Sequence, residues 1–441
     1  MEELTLAVAA LSSVLIFLLQ PIYGLIVYVA AITWYPTYLV VPVGTIDFTV
    51  RRIVILAVFA NLFLRTNLPS QFKFIWLDRL ITICFVCQVV AGLTTSQSLA
   101  MFLENQAGAA FDTVLPYFAV RMTVRNKQEY LTLLKGVLII AAPLAIIGFY
   151  QCLTGKNPAG FLMKYAAWNQ TSYVPLSRLG LFRANVTFSV HIMFGLFFAM
   201  FGPVCAGILH NGKKYKALYW LSIGLMGVGI FSSMSSGPML AAMLSILFLV
   251  FYRWRKYWKL IAIIIIVMCG SVEVISNRHF YDVLGGLTLS PATAWYRSRL
   301  IDVALFEGGM SGHWLTGFGL FIDPGWGLRI DGRITDCVNH YLLILCYYGL
   351  TGFIPFLAMC TTAVKRLIDA YKTSLFDSDK WLVWCLMAAL FGLGGALISV
   401  SLFGPPTTFF YMILGICGAV PMIVSRPSSL REIKVDTGFA T

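Results

Sequence analysis

The chain has 441 residues, of which 59% are hydrophobic and only 12% charged, and it carries a net charge of +13 at neutral pH. A soluble globular chain has about 25% charged residues, so this composition, with a mean hydropathy of +0.82, excludes an ordinary soluble domain. In a soluble chain the basic excess would suggest nucleic acid. In one this apolar it reads as lysine and arginine filling cytoplasmic loops, and no nucleic-acid partner is expected.

Apolar runs able to cross about 30 Å of hydrocarbon as helices recur at residues 4–20, 22–40, 52–66, 77–95, 104–121, 130–152, 187–208, 217–232, 236–252, 259–276, 341–364, 381–402 and 406–424. They predict an all-α integral membrane protein: one polytopic bundle over residues 1–441 with twelve or thirteen transmembrane helices, the count depending on whether the first two runs both cross. No basic segment, apolar core and small-residue cleavage site stand apart at the start, so the first span is expected to be retained. No internal repeat and no appended soluble domain are visible.

Two connections are long, 153–186 and 277–340. The short ones assign the sides. Arg121 to Gln128 ("RMTVRNKQ"), Asn211 to Lys216, Tyr252 to Lys259 and Lys365 to Lys372 are strongly basic, as is the tail with Arg426, Arg431 and Lys434. All five fall on one side, the cytoplasmic one by the positive-inside rule, which places both long loops outside. Arg51 and Arg52 resist this rule, because they fall outside if both early runs span. The loop 277–340 is expected to be an ordered, partly helical cap, since Trp295, Trp314, Phe318, Phe321 and Trp326 give it an aromatic content that disordered segments lack.

Several arginines therefore sit on the exterior. Arg178 and Arg183 lie in "SRLGLFRANVTFSVH", Arg297 and Arg299 in "SPATAWYRSRL", and Arg329 and Arg333 in "GWGLRIDGRITD". A guanidinium is permanently charged and grips phosphate with two donors at once; the plainer alternative is a solvated loop charge or a headgroup anchor. Ser290 and Pro291 read as a helix start. On that helix Arg297 and Arg299 point to different faces, so one faces a site under the loop while the other is free for carboxylates such as Asp302. "SSMSSGP" reads as a tight turn between two spans. Asn339 and His340 stand where the loop re-enters the membrane, and a histidine there is a candidate general base or an interfacial group bonded to backbone. His191 and His313 are lesser candidates.

Ten cysteines are scattered, mostly in apolar runs. Cys84 and Cys87 form a CxxC inside a span, without zinc-type partners. A disulfide between Cys152 and Cys337 is left open. There is no Walker loop, dinucleotide fingerprint, HExxH or metal cluster, so an enzyme here needs neither metal nor nucleotide cofactor and takes its energy from the substrate.

Taken in order, "DTVLPYFAVRMTVRNKQEY", "SRLGLFRANVTFSVH", "SSMSSGPMLA", "YRSRLIDVAL…LTGFGL" and "VNHYLLILCYYGLTGF" resemble the O-antigen polymerase/ligase superfamily of bacterial surface polysaccharide assembly, over residues 110 to 365. The resemblance implies a glycosyltransferase of the bacterial inner membrane, its active site facing the periplasm beneath the loop 277–340. The donor is a polyprenyl-pyrophosphate-linked oligosaccharide. Polymerisation onto another lipid-linked unit is favoured over ligase-type transfer to a lipid A core or other acceptor, and over a transporter or flippase of lipid-linked oligosaccharide. Chain-length regulators and export proteins are the protein partners such a role implies. Arg183 and Arg297 best match the two arginines that hold the donor pyrophosphate, with Arg178 and Arg299 as alternates. His340 would be the base, with Asn339, Asp336 and Tyr341 beside it. One departure stands out: anchoring on Tyr341 and Leu342 puts Val338 where the histidine belongs. His340 is then two positions away, about 200° around a helix, and Asp336 is a rival base.

Overall fold

The computed structural model describes residues 2–43, 46–65, 72–96, 98–166, 175–210, 216–257, 291–320 and 322–424, with positions 260, 263, 267, 270 and 271. The apolar runs are helices: α1 (Glu2–Leu18), α2 (Pro21–Trp34), α3 (Val50–Arg65), α4 (Trp76–Thr95), α5 (Leu99–Asp112), α6 (Val114–Thr123), α7 (Lys127–Thr154), α8 (His191–Ala206), α9 (Lys216–Ser232) and α10 (Ser236–Val250). They are followed by α11 (Pro291–Ile301), α12 (Trp326–Ile330), α13 (His340–Thr373), α14 (Asp377–Ala396) and α15 (Pro405–Ile423). The only sheets among the described residues are two small hairpins, β1–β2 (Val41–Val43, Ile46–Phe48) and β3–β4 (Ser177–Arg178, Leu181–Phe182). This is an all-α membrane protein.

Seven helices among the described residues are long and apolar enough to cross a membrane. Twelve or thirteen spans are not confirmed: some of the expected runs are short or broken, and one cannot be counted among the described residues. Helices α1, α2, α3 and α9 have 17, 14, 16 and 17 residues, short of the roughly 20 that span untilted. The run 104–121 is not one helix: Thr113, at φ −123° and ψ −71°, separates α5 from α6. The run 259–276 lies almost wholly outside the described residues.

Small residues let the helices close. Ser245 Oγ on α10 donates to Ala388 O on α14 at 3.0 Å, and Gly392 faces Ser245 so closely that a Cβ there would overlap its hydroxyl. Helices in lipid associate through such contacts because burial from water does not drive them. Long apolar side chains such as Ile139, Ile146 and Ile246 remain exposed on the outside of the bundle.

Charged groups gather at the two ends. At one end Lys127 pairs with Asp379 at 2.6 Å, and Tyr117 Oη donates to the buried Asp78 at 2.6 Å beside Arg121. At the other end Asp112 is gripped by both resisting arginines, Arg51 through Nε at 2.9 Å and Arg52 through Nη2 at 2.9 Å. Both arginines thus have a structural role: they share one carboxylate, which offsets half of their combined charge. Removing one partner of a nearly buried pair strands the others, at about 3–5 kcal/mol. Asp112→Ala should therefore lower the thermal midpoint in detergent sharply, with partial recovery when Arg52→Gln is added. An unchanged midpoint would show the cluster to be idle.

The loop expected to form a cap is ordered in its described part. Residues 277–290 and Phe321 lie outside the described residues. Helix α11 runs into a π-helical turn, Asp302–Phe306. Leu300, Val303, Ala304, Met310 and Trp326 make a second apolar core with Leu342, Leu345 and Cys346 of α13. Trp326 and Phe318 do the aromatic packing, whereas Trp295 and Trp314 stay exposed. The loop enters a break in α13. Gly349, at φ 58° and ψ −159°, interrupts the helix. There Leu350 N donates to Trp314 O at 2.8 Å, Thr351 N to Leu315 O at 3.1 Å, and Phe318 N to Cys346 O at 2.7 Å.

Candidate anion-binding site

The site begins with the hairpin β3–β4, in which Ser177 pairs with Phe182 and Arg178 with Leu181. Its two turn residues, Leu179 and Gly180, both have positive φ, 53° and 78°, as a tight two-residue hairpin requires. Arg178 Nη1 donates to Met234 O at 3.3 Å. Met234 belongs to "SSMSSGP", which is the tight turn between α9 and α10 that its small residues indicate, and its backbone holds an arginine in place. Arg183 follows β4, its amide bonded to Leu176 O at 2.8 Å.

The chain beyond Arg183 is clamped by polar groups from three helices. Gln151 at the end of α7 accepts from the amides of Asn185 and Val186 at 3.2 and 2.9 Å, and donates to Asn185 Oδ1 at 2.8 Å. Asn157 donates to Asn185 Oδ1 and Val186 O. Thr187 Oγ1 donates to Thr33 O of α2, and Ala184 N to Ser232 O of α9. Sequence reasoning missed Gln151, Asn185 and Thr187, though polar side chains beside apolar runs were a usable signal, since buried polar groups in a membrane protein are expensive unless bonded.

Three arginines act on one another electrostatically at this end, with one carboxylate, Asp336, acting on Arg297. Burial, with the Arg178 guanidinium acting in the same direction, lowers the Arg183 pKa to about 10; the group still stays charged at neutral pH. Burial also lowers the Arg297 pKa, Arg178 acts in the same direction, and Asp336 opposes them. Arg178 is thus the electrostatic neighbour shared by Arg183 and Arg297, which come from loops more than a hundred residues apart. Among the described residues none of the three forms an ion pair, and the Nε atoms of Arg183 and Arg297 are buried without hydrogen-bond partners. Asp336 is exposed to solvent as a residue, yet crowding around its carboxyl raises its pKa while Arg297 lowers it. Its amide donates to Tyr296 Oη at 3.0 Å, which fixes it to α11 next to Arg297.

The other expected site residues have structural partners. Arg299 turns outward, pairing with Glu307 at 2.6 Å and Asp302 at 3.6 Å, the carboxylate role left open to one of the two α11 arginines. Asn339 caps α13, its Oδ1 accepting from the amides of Tyr341 and Leu342 at 3.0 and 3.2 Å. Tyr341 Oη donates to Gly394 O at 2.8 Å. His340 is buried against Phe356, and its Nδ1 accepts from the Leu402 amide at 3.2 Å. That bond places the proton of the neutral ring on Nε2 and leaves no free lone pair on His340. His313 stacks on Phe318 at a centroid distance of 4.0 Å within the cap. Cys152 and Cys337 are both free thiols.

Among the described residues no His, Cys, Asp and Glu cluster suits a metal ion. The arrangement is a group of cationic side chains with one carboxylate beside it, chemistry suited to a polyanion. Neither a protein-family model nor a curated protein matches the chain.

Proposed function

We propose that this chain is a glycosyltransferase of the bacterial inner membrane, a polysaccharide polymerase that moves a glycan from a polyprenyl-pyrophosphate carrier onto another lipid-linked repeat unit at the periplasmic face. The observation that carries the reading is the group of Arg178, Arg183 and Arg297, partly desolvated, mutually repelling and without a carboxylate partner among the described residues. Such a group is held together at a loss unless an anion is bound. A glycosyl diphosphate supplies one, and it gains negative charge as the bond to the sugar breaks, so the arginines hold the transition state more tightly than the substrate.

In this reading an acceptor hydroxyl oxygen attacks the anomeric carbon. Its proton passes to the Asp336 carboxylate, and the bonding pair of the broken C–O bond leaves with the lipid diphosphate. In this reading the described part of the loop, residues 291–340, carries Arg297 to the reacting diphosphate. The reaction consumes one lipid-linked glycan and lengthens another, so partners that regulate chain length or export the polymer act downstream.

The test is reconstitution. Purified protein in nanodiscs, given only a polyprenyl-pyrophosphate-linked oligosaccharide, should produce longer lipid-linked glycans without nucleotide or a membrane gradient, and equally well in excess chelator. Dependence on a gradient with no new glycosidic bond would identify a carrier instead. Activity abolished by the chelator and restored by a divalent ion would overturn the metal-free mechanism.

A further inference from the structure

At the end of the bundle where Tyr117 meets Asp78, one arginine is left without a counter-charge. Arg366 of α13 forms no ion pair among the described residues. Its Nη2 donates to Gly418 O of α15 at 3.1 Å, and its Nη1 has no partner and is not sealed inside the protein. Helix α15 crosses α6 closely here. A Cβ on Gly415 would stand 2.6 Å from Tyr117 O, and one on Gly418 would stand 2.8 Å from Arg121 Cδ. Gly418 therefore brings a second guanidinium to the same place, because Arg121 Nε lies 3.3 Å from that Cβ position.

The one acid at this point is already occupied. Asp78 accepts from Tyr117 Oη at 2.6 Å and from the Ile75 amide at 2.9 Å, and Arg121 Nε stands 3.5 Å from it. One carboxylate against two guanidiniums leaves a full positive charge beside Gly418, within helices where unpaired charge is costly. The exposed Lys73 adds to it, its backbone oxygen accepting from Arg121 Nη2 at 3.5 Å.

An aromatic surface adjoins the charge. The Arg121 guanidinium lies over the Phe72 ring at 5.1 Å, and Phe72 packs edge-on against Phe74 and Phe118 at 5.2 and 6.2 Å. Phe74 and Trp76 remain exposed. Exposed aromatic side chains of this kind mark the level at which the hydrocarbon of a bilayer meets its headgroups. Basic pockets between spanning helices at that level suit anionic lipid headgroups.

We infer that this face holds an anionic phospholipid. Its phosphate accepts from Arg366 Nη1, Arg121 supplies the second positive charge, and its acyl chains lie along Phe74 and Trp76. A free phosphate would answer the charge and leave the aromatic surface uncovered. The inference does not depend on the reaction proposed above; it requires only that the chain spans a bilayer.

Native mass spectrometry of the delipidated full chain in detergent tests it, with phosphatidylglycerol and phosphatidylcholine of the same acyl chains added in turn. The wild type should hold phosphatidylglycerol at least about fivefold more tightly, the effect of one basic side chain at an anionic surface. Arg366→Gln should lose that preference and Arg366→Lys keep part of it. Lys365→Gln, which removes an exposed charge next to it in the chain, should keep all of it. No preference in the wild type, or the same preference in Arg366→Gln, overturns the inference. Displacement of phosphatidylglycerol by excess inorganic phosphate would give the site to a free anion and overturn the lipid assignment. Should the glutamine variant fail to fold, a photoactivatable phosphatidylglycerol decides on the wild type. Adducts within residues 72–76, 114–123 or 364–368 support the site, and adducts that spare all three segments overturn it.

Discussion

Arg183→Ala and Arg297→Ala should each abolish nearly all polymer, and Arg183→Lys most of it, when glycan chain length is measured in a deletion strain complemented at matched protein levels. Removing one group that stabilises developing negative charge typically reduces the rate by about 10²–10³. The desolvation that lowers both arginine pKa values marks a site with little water to substitute for a missing guanidinium. Lysine supplies charge but not the two-pronged donor. The same variants should melt no lower than the wild type, and higher if anything. Neither guanidinium has an ion-pair partner among the described residues, and each is repelled by Arg178, so truncation relieves strain instead of stranding a partner. Arg329→Ala is the control: it is bonded to Glu307 O at 3.0 Å, and Glu307 keeps Arg299 as a partner. Normal polymer from both Arg183→Ala and Arg297→Ala would sink the site assignment.

Much of this site was legible because charge is rare in the chain. Arginines on the side that should lack them stand out against the positive-inside rule, and the two-residue spacing of Arg297 and Arg299 already separates an inward from an outward group. What was not legible depended on contacts between distant segments. Arg51 and Arg52 look like site arginines by the same rule, yet Asp112, sixty residues away, occupies both. His340 looks like a base because of where it stands in the chain, and only the Leu402 amide, from a loop beyond the next helix, uses up its lone pair.

The helices show the same division. An apolar run predicts burial in lipid, but it carries no information about a backbone break inside it. Small and apolar residues flank Thr113 in the run 104–121, from Ala107 to Phe111 and from Val114 onward, so hydropathy joins what the dihedral angles separate. "YYGLTGF" likewise reads as one continuous span, while Gly349 breaks it to admit a loop. Packing of the loop's described part through Phe318 and Trp326 is in keeping with its aromatic content; its docking point was not legible, because the bonds that make it run from backbone to backbone and leave no trace in side-chain type.

Gly349 should accordingly be among the least replaceable residues in the chain, although it touches no substrate in the proposed reaction. Its φ of 58° with ψ of −159° lies in a region that residues with a Cβ avoid. A Cβ there would also collide with the Leu315 backbone. Gly349→Val should close the break into regular helix, because valine can relieve the strain only by returning to helical angles. The bonds from Leu350 N to Trp314 O and from Thr351 N to Leu315 O would then be lost, and the segment from Trp314 to Phe318 would leave its seat. Arg297 rides on the same apolar core as that segment, through Leu300 and Val303, so undocking withdraws one member of the cationic group while Arg178 and Arg183, held by the clamp, stay in place. The expected result is loss of polymer comparable to Arg297→Ala, together with new protease cleavage between residues 302 and 320 in spheroplasts or permeabilised membranes, and membrane insertion unchanged. Pyrophosphate binding should weaken but persist, because two of the three arginines remain. A Gly349→Val protein that makes full-length polymer and resists protease would show that the loop is held by its apolar core alone and that the break in the helix has no part in placing Arg297.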